Sequence, residues 1–510
     1  MAINYEPKHT HPLMNRATDI AHMVRYWNKV RTLLLGLQAM RDAGEEYLPK
    51  FPEETDANYG IRLNLTKLTN VYRDVVEGLA TKPFEAEVTI LKSDNQQIPT
   101  ELSDLVENID GSYTNLTVFS SLAFFNGIND GISWIFVDFP EIPEPLRGRP
   151  ISKAEAKQYK LTPYWSHVLA INVLEVRTKV IGSECVINYI RILEPSVDGD
   201  EDKVRIFERD DNNVVTWKLY YANPSGKNVE DKMVLREEGT LSINVIPLVP
   251  FITGRRMGNT WRFLPPMQDA ADLQITLYQN ESSLEYIKML AAFPMLAANG
   301  MKPQMEADGK KPKKITTGPM QVLYGVPDGS GGHGEWKFIE PQANSMEFLQ
   351  KNIAQTKQDL RELGRQPLTA LSSQLTTVTT SIAAGKGRSA VTAWALNLKD
   401  TLENALMISM MFIGIKYEPE VYVFTGFDNV DGTSDDVIEL GKARERGDIS
   451  LKTYWSELQR RKILSPEFKP DEEVKELLNE IPSDRLPPDS PNADGQTVTT
   501  GNNTNANTTS

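Results

Sequence analysis

The chain has 510 residues, of which 40% are hydrophobic and 24% are charged, and its net charge at pH 7 is −14. This composition is typical of a globular protein and excludes a fibrous chain or one that is disordered throughout, while the length allows several domains. The acidic balance argues against a protein that grips DNA, because lysine and arginine supply most of the nonspecific affinity for phosphate.

Cysteine and histidine usage excludes two common kinds of site. Cys185 is the only cysteine, which rules out intrachain disulfides and zinc sites built on paired thiolates. The histidines form no His-Glu-x-x-His helix, and we expect His9 and His11 to lie in a flexible terminus rather than to chelate a metal. The longest strongly apolar run, Ala405–Ile415, is too short to cross a bilayer. We therefore predict no metal, no cofactor and no membrane partner.

The first part of the chain is predicted to mix helices and strands. Apolar residues recur at spacings of three and four over Pro12–Ala43 and Tyr59–Leu79, and a third helix is predicted over Leu102–Asn126. Residues that favour β-structure predict strands at Glu85–Leu91 and Ile132–Asp138.

From Trp165 to Phe251 the apolar period becomes two, which predicts a mainly antiparallel β region. Its β-rich runs are VLAINVLEVRT, ECVINYIRIL, VVTWKLYYA and INVIPLVPFI, and clusters of Gly, Asp and Asn separate them. Asn223–Gly226 and Asp198–Asp202 are predicted to be hairpin turns rather than functional loops.

Two long helices are predicted to bracket a polar insertion. The first starts at Pro265, where proline suits a first helical turn, and ends around Phe293. The second covers Ser345–Leu363, with apolar residues at alternating spacings of three and four. The insertion between them, 299–341, contains MKPQMEADGKKPKK and a short strand-like piece, MQVLYGV.

After Gly364 the sequence is polar and rich in Ser and Thr, and a helix with heavy apolar content is predicted over Ser389–Ile415. A strand, VYVFTGFD, and three helical segments within Ser434–Ile481 follow. From Pro482 onward large apolar residues are scarce, which predicts a disordered tail.

No motif points to catalysis. Gly385-Lys386-Gly387-Arg388-Ser389 comes nearest to a phosphate-binding loop, but glycine follows the lysine and no strand precedes it, so a flexible loop with a helix start is the preferred interpretation. Asp210-Asp211 and Asp435-Asp436 are typical of solvated turns or helix N-termini rather than acid/base couples. The sequence also lacks a Gly-x-Ser-x-Gly elbow and a Rossmann fingerprint. We therefore predict that the chain is not an enzyme.

The order of these elements resembles the portal family of tailed bacteriophages, the head-tail connectors. The resemblance covers most of the chain and is most specific over Leu273–Trp394. That stretch holds ITLYQNESSLEYIKMLAAFPML, the insertion, ANSMEFLQKNIAQTKQDLRELG and a glycine-containing loop that leads into a long helix. At this last junction GKGRSAVTAWAL departs from the family's Ser-Gly-x-Ala-Leu pattern. The early segment LPKFPEETDANYGIRLNLTKLTNVYRDVVEGLATKPF also looks like the start of one group of portal-type proteins.

The resemblance implies an α+β, portal-like fold with an α/β wing, a two-helix stem, a small α/β clip, a long tunnel helix and a helical crown. The expected divisions are the wing at 1–264, the first stem helix at 265–298, the clip at 299–341, the second stem helix at 342–364, the tunnel loop region at 365–388, the tunnel helix and return to the wing at 389–433, the crown at 434–481 and a disordered tail at 482–510.

The resemblance also implies two functional surfaces. The tunnel loop and its flank would face DNA, and their candidate residues are Gln366, Gln374, Thr376, Thr377, Thr379, Thr380, Lys386 and Arg388. Neutral amides and hydroxyls would give a passing duplex weak, exchangeable contacts, whereas Lys386 and Arg388 are equally compatible with surface charges that flank a helix. The clip would dock a terminase and later an adaptor, through Lys310, Lys311, Lys313, Lys314 and Trp336. For the four lysines a solvated loop is the alternative.

As a whole, the resemblance implies a ring-shaped channel at the capsid vertex, through which a genome is packaged and ejected. The ring would contain about twelve copies, closed by head-to-tail interfaces that repeat a fixed rotation. Its partners would be the large terminase, adaptor or tail proteins, major capsid and scaffold proteins, and double-stranded DNA. Assembly is expected in the host cytoplasm and the final location in the virion. The alternatives are another structural protein of the head-tail junction, or an α+β enzyme without a recognisable motif.

Overall fold

A computed structural model describes most of the chain. The described residues are 11–91, 97–196, 201–223, 225–226, 228–292, 295–302, 305, 326–327, 334–339, 343–365, 377–425, 434–460, 463–464, 468 and 473–475. They divide into two compact units, one within 1–425 and one within 426–510. Helices and sheets both contribute to the first unit, so the prediction of an α+β fold is confirmed.

The first unit opens with a helical layer. Its helices are α1 (Thr18–Leu35), α2 (Leu37–Ala43), α3 (Asp56–Leu65), α4 (Val71–Ala80), α5 (Thr100–Glu107) and α6 (Leu116–Asp130). The helix predicted over Pro12–Ala43 is thus broken, because Gly36 has φ of 88° and its N–H turns back to the carbonyls of Thr32 and Leu33. The helix predicted over Leu102–Asn126 is also two helices, separated by a turn in which Asp110 accepts hydrogen bonds from the N–H groups of Ser112 and Thr114.

Two antiparallel sheets lie beyond this layer. The strands and helix of this region are β1 (Thr89–Ile90), β2 (Ile132–Asp138), α7 (Lys153–Gln158), β3 (Tyr164–Val168), β4 (Val173–Ile181), β5 (Glu184–Glu194), β6 (Lys203–Arg209), β7 (Val215–Ala222), β8 (Met233–Thr240), β9 (Leu248–Ile252), β10 (Arg255–Arg256) and β11 (Phe263–Leu264). One sheet has the order β3-β2-β9 and the other β4-β5-β6-β7-β8. The predicted antiparallel β region is confirmed, while the strand predicted at Glu85–Leu91 is reduced to β1.

The predicted turn at Asn223–Gly226 contains a hydrogen bond of 3.1 Å from Gly226 N to Asn223 O. The turn predicted at Asp198–Asp202 lies largely outside the described residues.

The start of the chain is fastened to the face of the five-stranded sheet. His11 caps a short 3-10 helix, Pro12–Met14, by accepting a hydrogen bond from Leu13 N at 3.1 Å. Met14 is fully buried in a cluster with Leu174, Val204 and Met233. His11 is therefore an ordered capping residue, contrary to the expectation of a flexible terminus, because burial of Met14 fixes the backbone beside it; His9 lies outside the described residues.

Helix α6 forms the centre of the first unit, packed against β2 and β9. The rings of Phe124 and Phe251 stack with centroids 5.6 Å apart. Gly127, one turn further along α6, allows this approach, because a Cβ there would lie 2.4 Å from Cε1 of Phe251. Close packing of Phe251 against α6 therefore requires a residue without a side chain at position 127.

The C-terminal end of α6 carries a buried polar cluster. Asp130 forms an ion pair with Arg31 of α1, and its backbone carbonyl accepts a hydrogen bond from the Trp27 indole at 2.9 Å. The side-chain amide of Asn129 accepts one from the Tyr72 hydroxyl at 2.7 Å. Burial raises the pKa of Asp130, which the charge of Arg31 opposes. These bonds join α1, α4 and α6 in one fixed arrangement.

The second half contains the two long helices that the sequence predicts. Its elements are α8 (Gln268–Ala292), β12 (Met295–Asn299), β13 (Met301–Lys302), β14 (Val326–Pro327), β15 (Glu335–Ile339), α9 (Ala343–Arg365), α10 (Thr377–Phe412) and β16 (Val421–Tyr422), followed in the second unit by α11 (Ser434–Glu445) and α12 (Leu451–Arg460). β16 pairs with β1. The predicted tail at 482–510 lies outside the described residues.

One helix boundary differs from its prediction. The predicted loop region extends to Arg388, but α10 begins at Thr377 and therefore includes Thr377, Thr379, Thr380, Lys386 and Arg388. The prediction followed the apolar pattern, which is weak before residue 389. A helix that is nucleated and packed over its later turns propagates at little cost into a neighbouring segment without such a pattern.

We expect Gly127→Ala to lower the free energy of unfolding by about 1–3 kcal/mol, because the added methyl group overlaps the ring of Phe251. Chemical denaturation of the purified protein measures this change. The matched control is Gly60→Ala in α3, where no heavy atom lies within 4 Å of the added Cβ. It should leave stability unchanged or raise it by up to about 1 kcal/mol. Equal stability of the two variants would contradict the packing role of Gly127.

Candidate functional site

The two long helices and the strands between them form one continuous hairpin. β12 starts three residues after α8 ends, and β15 ends four residues before α9 begins. The two strands pair in an antiparallel register from Met295 opposite Ile339 to Asn299 opposite Glu335. The shorter pair β13 and β14 follows. The helical hairpin therefore continues into a two-stranded ribbon.

Helices α8 and α9 pack against each other, and each carries buried apolar residues. On α9, Ile353 and Leu360 are 7% and 0% exposed. On α8, Leu277 is fully buried and Leu284 is 7% exposed. Thr356, which interrupts the apolar pattern of α9, is buried, and its hydroxyl donates a hydrogen bond to Asn352 O at 2.8 Å. The hydroxyl of Thr356 is therefore hydrogen-bonded within its own helix and is not left as an unpaired polar group.

An ion pair ties the two helices to the helical layer beneath them. Lys357 of α9 lies 2.8 Å from Glu281 of α8. The same carboxylate accepts hydrogen bonds from the backbone N–H and the hydroxyl of Thr69, at 3.0 and 2.6 Å. Lys357 also donates to the Thr69 hydroxyl at 3.2 Å. Helix α8, helix α9 and the segment before α4 thus meet at the mostly buried carboxylate of Glu281. These contacts limit sliding of α9 along α8.

Further polar contacts hold α8 against the same part of the chain. Gln274 accepts a hydrogen bond from Tyr72 N and donates to Thr69 O, both at 3.0 Å. Ser282 accepts from the Thr66 hydroxyl at 2.8 Å. Beside it the Arg62 guanidinium, 1% exposed, pairs with Glu54 at 2.7 Å. α8 is therefore fixed by directional bonds as well as by apolar contact.

The outer face of α9 is exposed and nearly neutral. It carries charges of both signs: Lys351 is paired to Glu347 at 2.8 Å, and Arg361 is exposed. Gln355 and Gln358 donate to the carboxylates one turn further on, Asp359 and Glu362. Phe348 stands out on this face with 69% exposure. Such a surface offers amides and compensated charges rather than a row of phosphate anchors.

The described part of α10 anchors the chain back onto the three-stranded sheet. Trp394, Leu398 and Leu402 are buried. Asn397 donates to Ile252 O at 3.1 Å, and Ser409 accepts a hydrogen bond from the Trp165 indole at 2.8 Å. The early turns of α10 thus belong to a helix whose later turns are firmly held.

The structure places only part of the predicted site. Trp336 lies on β15 opposite Ala298, and its indole N–H is buried without a hydrogen-bond partner among the described residues. Thr377, Thr379, Thr380, Lys386 and Arg388 lie on α10. The remaining candidates lie outside the described residues: Gln366, Gln374, Thr376, Lys310, Lys311, Lys313 and Lys314.

The residues that fix the hairpin were missed by the sequence analysis. Lys357, Glu281, Arg62 and Glu54 look like ordinary surface charges in the sequence. Lys357 and Arg62 have contacts with residues far away in the sequence, since Lys357 pairs with Glu281 and the Arg62 guanidinium lies 3.4 Å from the hydroxyl of Ser282, 220 residues away. The interruption of the α9 pattern at Thr356 was the one local signal of a polar contact at this interface.

Chemical groups that could support catalysis or a metal are sparse in the described part. There, no cluster of three or more His, Cys, Asp and Glu side chains is arranged to hold a metal ion. Ser133 Oγ lies 2.7 Å from His167 Nε2, but Ser133 is fully buried, so this pair presents no nucleophile to a substrate. No described helix has both the length and the apolar character needed to span a membrane.

Comparisons with known proteins give the following matches. Residues 266–413 match a family model described as a domain of unknown function (DUF4055). No curated protein matches the chain by sequence.

Three solved structures are similar to the chain, all from gene transfer agent (GTA) particles. The neck of a native particle computed with C12 symmetry covers 76% of this chain and 89% of its own, with 12% identity and a TM-score of 0.39. The neck of an empty particle computed with C6 symmetry covers 80% and 90%, with 14% identity and a TM-score of 0.39. The virion of a native particle covers 80% and 95%, with 11% identity and the same TM-score. Scores at this level carry no argument about function.

Lys357→Ala is expected to lower the free energy of unfolding by about 1–3 kcal/mol, because it leaves the mostly buried carboxylate of Glu281 without its cation. Urea denaturation measures the loss. Lys351→Ala on the same helix is the control, since Lys351 and Glu347 are exposed and their ion pair is worth less than about 0.5 kcal/mol. If both variants lose the same small amount, the pair does not fix the hairpin.

We expect His167 to make the protein less stable as pH falls from about 6.5 to about 4. Burial, with a smaller contribution from the charge of Arg31, lowers the pKa of His167 to about 4. Within that range His167 binds a proton in the unfolded chain but not in the folded chain. The free energy of unfolding therefore falls by up to about 1.4 kcal/mol for each pH unit. Denaturation of His167→Gln across this range should give a shallower pH dependence than the wild type. His22→Gln, at an exposed position, should keep the wild-type slope.

Proposed function

We propose that the chain is a subunit of a ring at the head-tail junction of a phage-type particle, where it acts as a portal protein. The observation that carries this proposal is the continuous hairpin of α8, the β12–β15 ribbon and α9. Copies of such a hairpin, arranged around an axis, would line a hole with helices and present the ribbon at one end. The resemblance of the element order to the portal family supports the same assignment.

The contacts that hold the hairpin in place support a role at the wall of a channel. A subunit that surrounds moving DNA must keep its pore-lining helices in place while it is pushed from within. α8 is held by the polar contacts of Glu281, Gln274 and Ser282 and by its packing against α9. Breaking these contacts requires leaving several buried polar groups unpaired at once, which is costly.

The charge pattern supports passage rather than capture of DNA. Each lysine or arginine that neutralises a phosphate adds affinity and therefore a barrier to movement. On the outer face of α9 the lysine and carboxylates are paired or bonded to neighbouring amides, and the whole chain carries a net charge of −14. A duplex would meet exchangeable contacts on such a wall.

The finer assignments follow from the same proposal. The ring would hold about twelve copies, closed by one repeated interface. The ribbon and the insertion beyond it would dock a terminase during packaging and an adaptor or tail protein afterwards. The segment before α10, with Gln366 and Gln374, and the early turns of that helix would contact DNA. Capsid and scaffold proteins would surround the ring at the capsid vertex of the virion, and the chain would have no catalytic role.

Electron microscopy of the purified full-length protein, together with its mass in solution, tests the proposal. We expect closed rings with a central hole wide enough for duplex DNA and helical density around that hole. Rings or stacks with a solid centre would instead favour another structural protein of the head-tail junction. A chain that stays monomeric at high concentration and beside its capsid and scaffold proteins would contradict a ring of any kind.

A further inference from the structure

A short hairpin just before α8 presents an unusual outer face. β10 and β11 pair with Arg255 opposite Leu264 and Arg256 opposite Phe263. Trp261 and Phe263 point into the core, with 8% and 2% exposure, and the Trp261 ring lies 5.4 Å from that of Trp134. Because side chains alternate along a strand, Arg262 and Leu264 are directed outward.

On the outward side, each arginine lies opposite an apolar residue of the other arm of the hairpin. Met257 N donates to Arg262 O at 2.9 Å, which sets Met257 opposite Arg262 next to the pair of Arg255 and Leu264. Met257 and Leu264 are 46% and 47% exposed. Among the described residues no carboxylate forms an ion pair with Arg255 or Arg262. We call these four residues the basic face.

A complementary surface lies on α5 and the start of α6. Asp104 and Glu107 are exposed on α5 and form no ion pair within the described part of the chain. Tyr113, in the turn that follows α5, is 94% exposed, and Val118 and Leu122, one turn apart at the start of α6, are 58% and 50% exposed. We call these five residues the acidic face.

Tyr113 is held in place despite its exposure. Its backbone has φ of 68°, a left-handed conformation that is unfavourable for a tyrosine. The side chain of Asn108 keeps it there by accepting a hydrogen bond from Tyr113 N at 2.7 Å. The hydrogen bonds of the turn therefore fix the backbone of this exposed tyrosine.

The two faces lie at opposite ends of α6. The acidic face includes the first two turns of the helix. At the other end Gly131, which follows α6, accepts hydrogen bonds at its carbonyl from Thr253 N and Gly254 N, at 3.1 and 2.7 Å, and so fixes the base of the β10–β11 hairpin. Leu122, the residue of the acidic face furthest along α6, lies eight residues before Asp130, the last residue of the helix, which is about 12 Å along the helix axis.

We propose that the basic face of one copy docks on the acidic face of the next copy. A ring requires a head-to-tail interface, in which two different and complementary surfaces of the same chain meet. Two arginines then face two carboxylates, while Met257 and Leu264 cover the exposed apolar residues of the acidic face. The apolar residues of each face favour a protein partner over a nucleic acid, because a phosphate backbone makes no favourable contact with apolar side chains. This inference rests on the proposed ring.

Charge reversal tests the pairing. We expect R255E/R262E and D104R/E107R each to raise the dissociation constant for self-assembly about tenfold or more, because like charges then face each other. The quadruple variant, with all four charges exchanged and the net charge restored, should assemble again. K157E/K160E is the control: it makes the same change in net charge as R255E/R262E at two exposed lysines elsewhere on the chain and should assemble like the wild type. Sedimentation velocity over a range of concentration and salt measures all five proteins.

The outcomes separate this inference from the proposed function. Wild-type rings together with undisturbed assembly of either double variant would overturn the interface and leave the ring standing. Failure of the quadruple variant to reassemble, with wild-type circular dichroism and thermal stability, would overturn the pairing of these two faces. A wild type that forms no assembly under any condition would overturn both. Binding of wild-type monomer to duplex DNA through the basic face, lost in R255E/R262E, would replace the protein partner by nucleic acid.

Discussion

The position of α8 depends on one convergence of polar groups, and much of the first unit depends on α8. Glu281 and Gln274 project toward the turn that contains Thr69, where they bind its backbone and hydroxyl. Lys357 closes the arrangement from α9. Apolar packing alone would tolerate a shift of one helix along another, because it has no direction. Hydrogen bonds at three points fix the register of α8 and of the ribbon that extends it.

The sequence predicted the elements whose signals are local. The periodicity of three and four marked α8 and α9 within a few residues of their observed ends, and alternation marked the antiparallel β region. The break at Gly36 and the turn around Asp110 escaped notice because one glycine or one short polar turn scarcely disturbs an apolar pattern. The start of α10 was missed for the opposite reason, since its first turns show no such pattern.

The candidate site was less accessible to sequence analysis than the fold. Lys310 and its neighbours attracted attention because they cluster, whereas Lys357 and Arg62 look unremarkable until their distant partners are known. The basic face shows the same limit. Arg255, Met257, Arg262 and Leu264 acquire a common direction only because β10 and β11 pair and Trp261 turns inward. Chemistry assembled across strands cannot be read from composition.

The start of the chain has a consequence for the order in which the protein forms during translation. The N–H of Ala17 binds the carbonyl of Leu174 at 2.8 Å, and Met14 is buried against Met233. Met14 therefore cannot complete its final contacts until more than two hundred later residues have left the ribosome. Contacts between such distant positions slow folding, because a long loop must close before they form. Until the strands of the five-stranded sheet have been made, Met14 is exposed to water in the nascent chain, because the residues that bury it are not yet present.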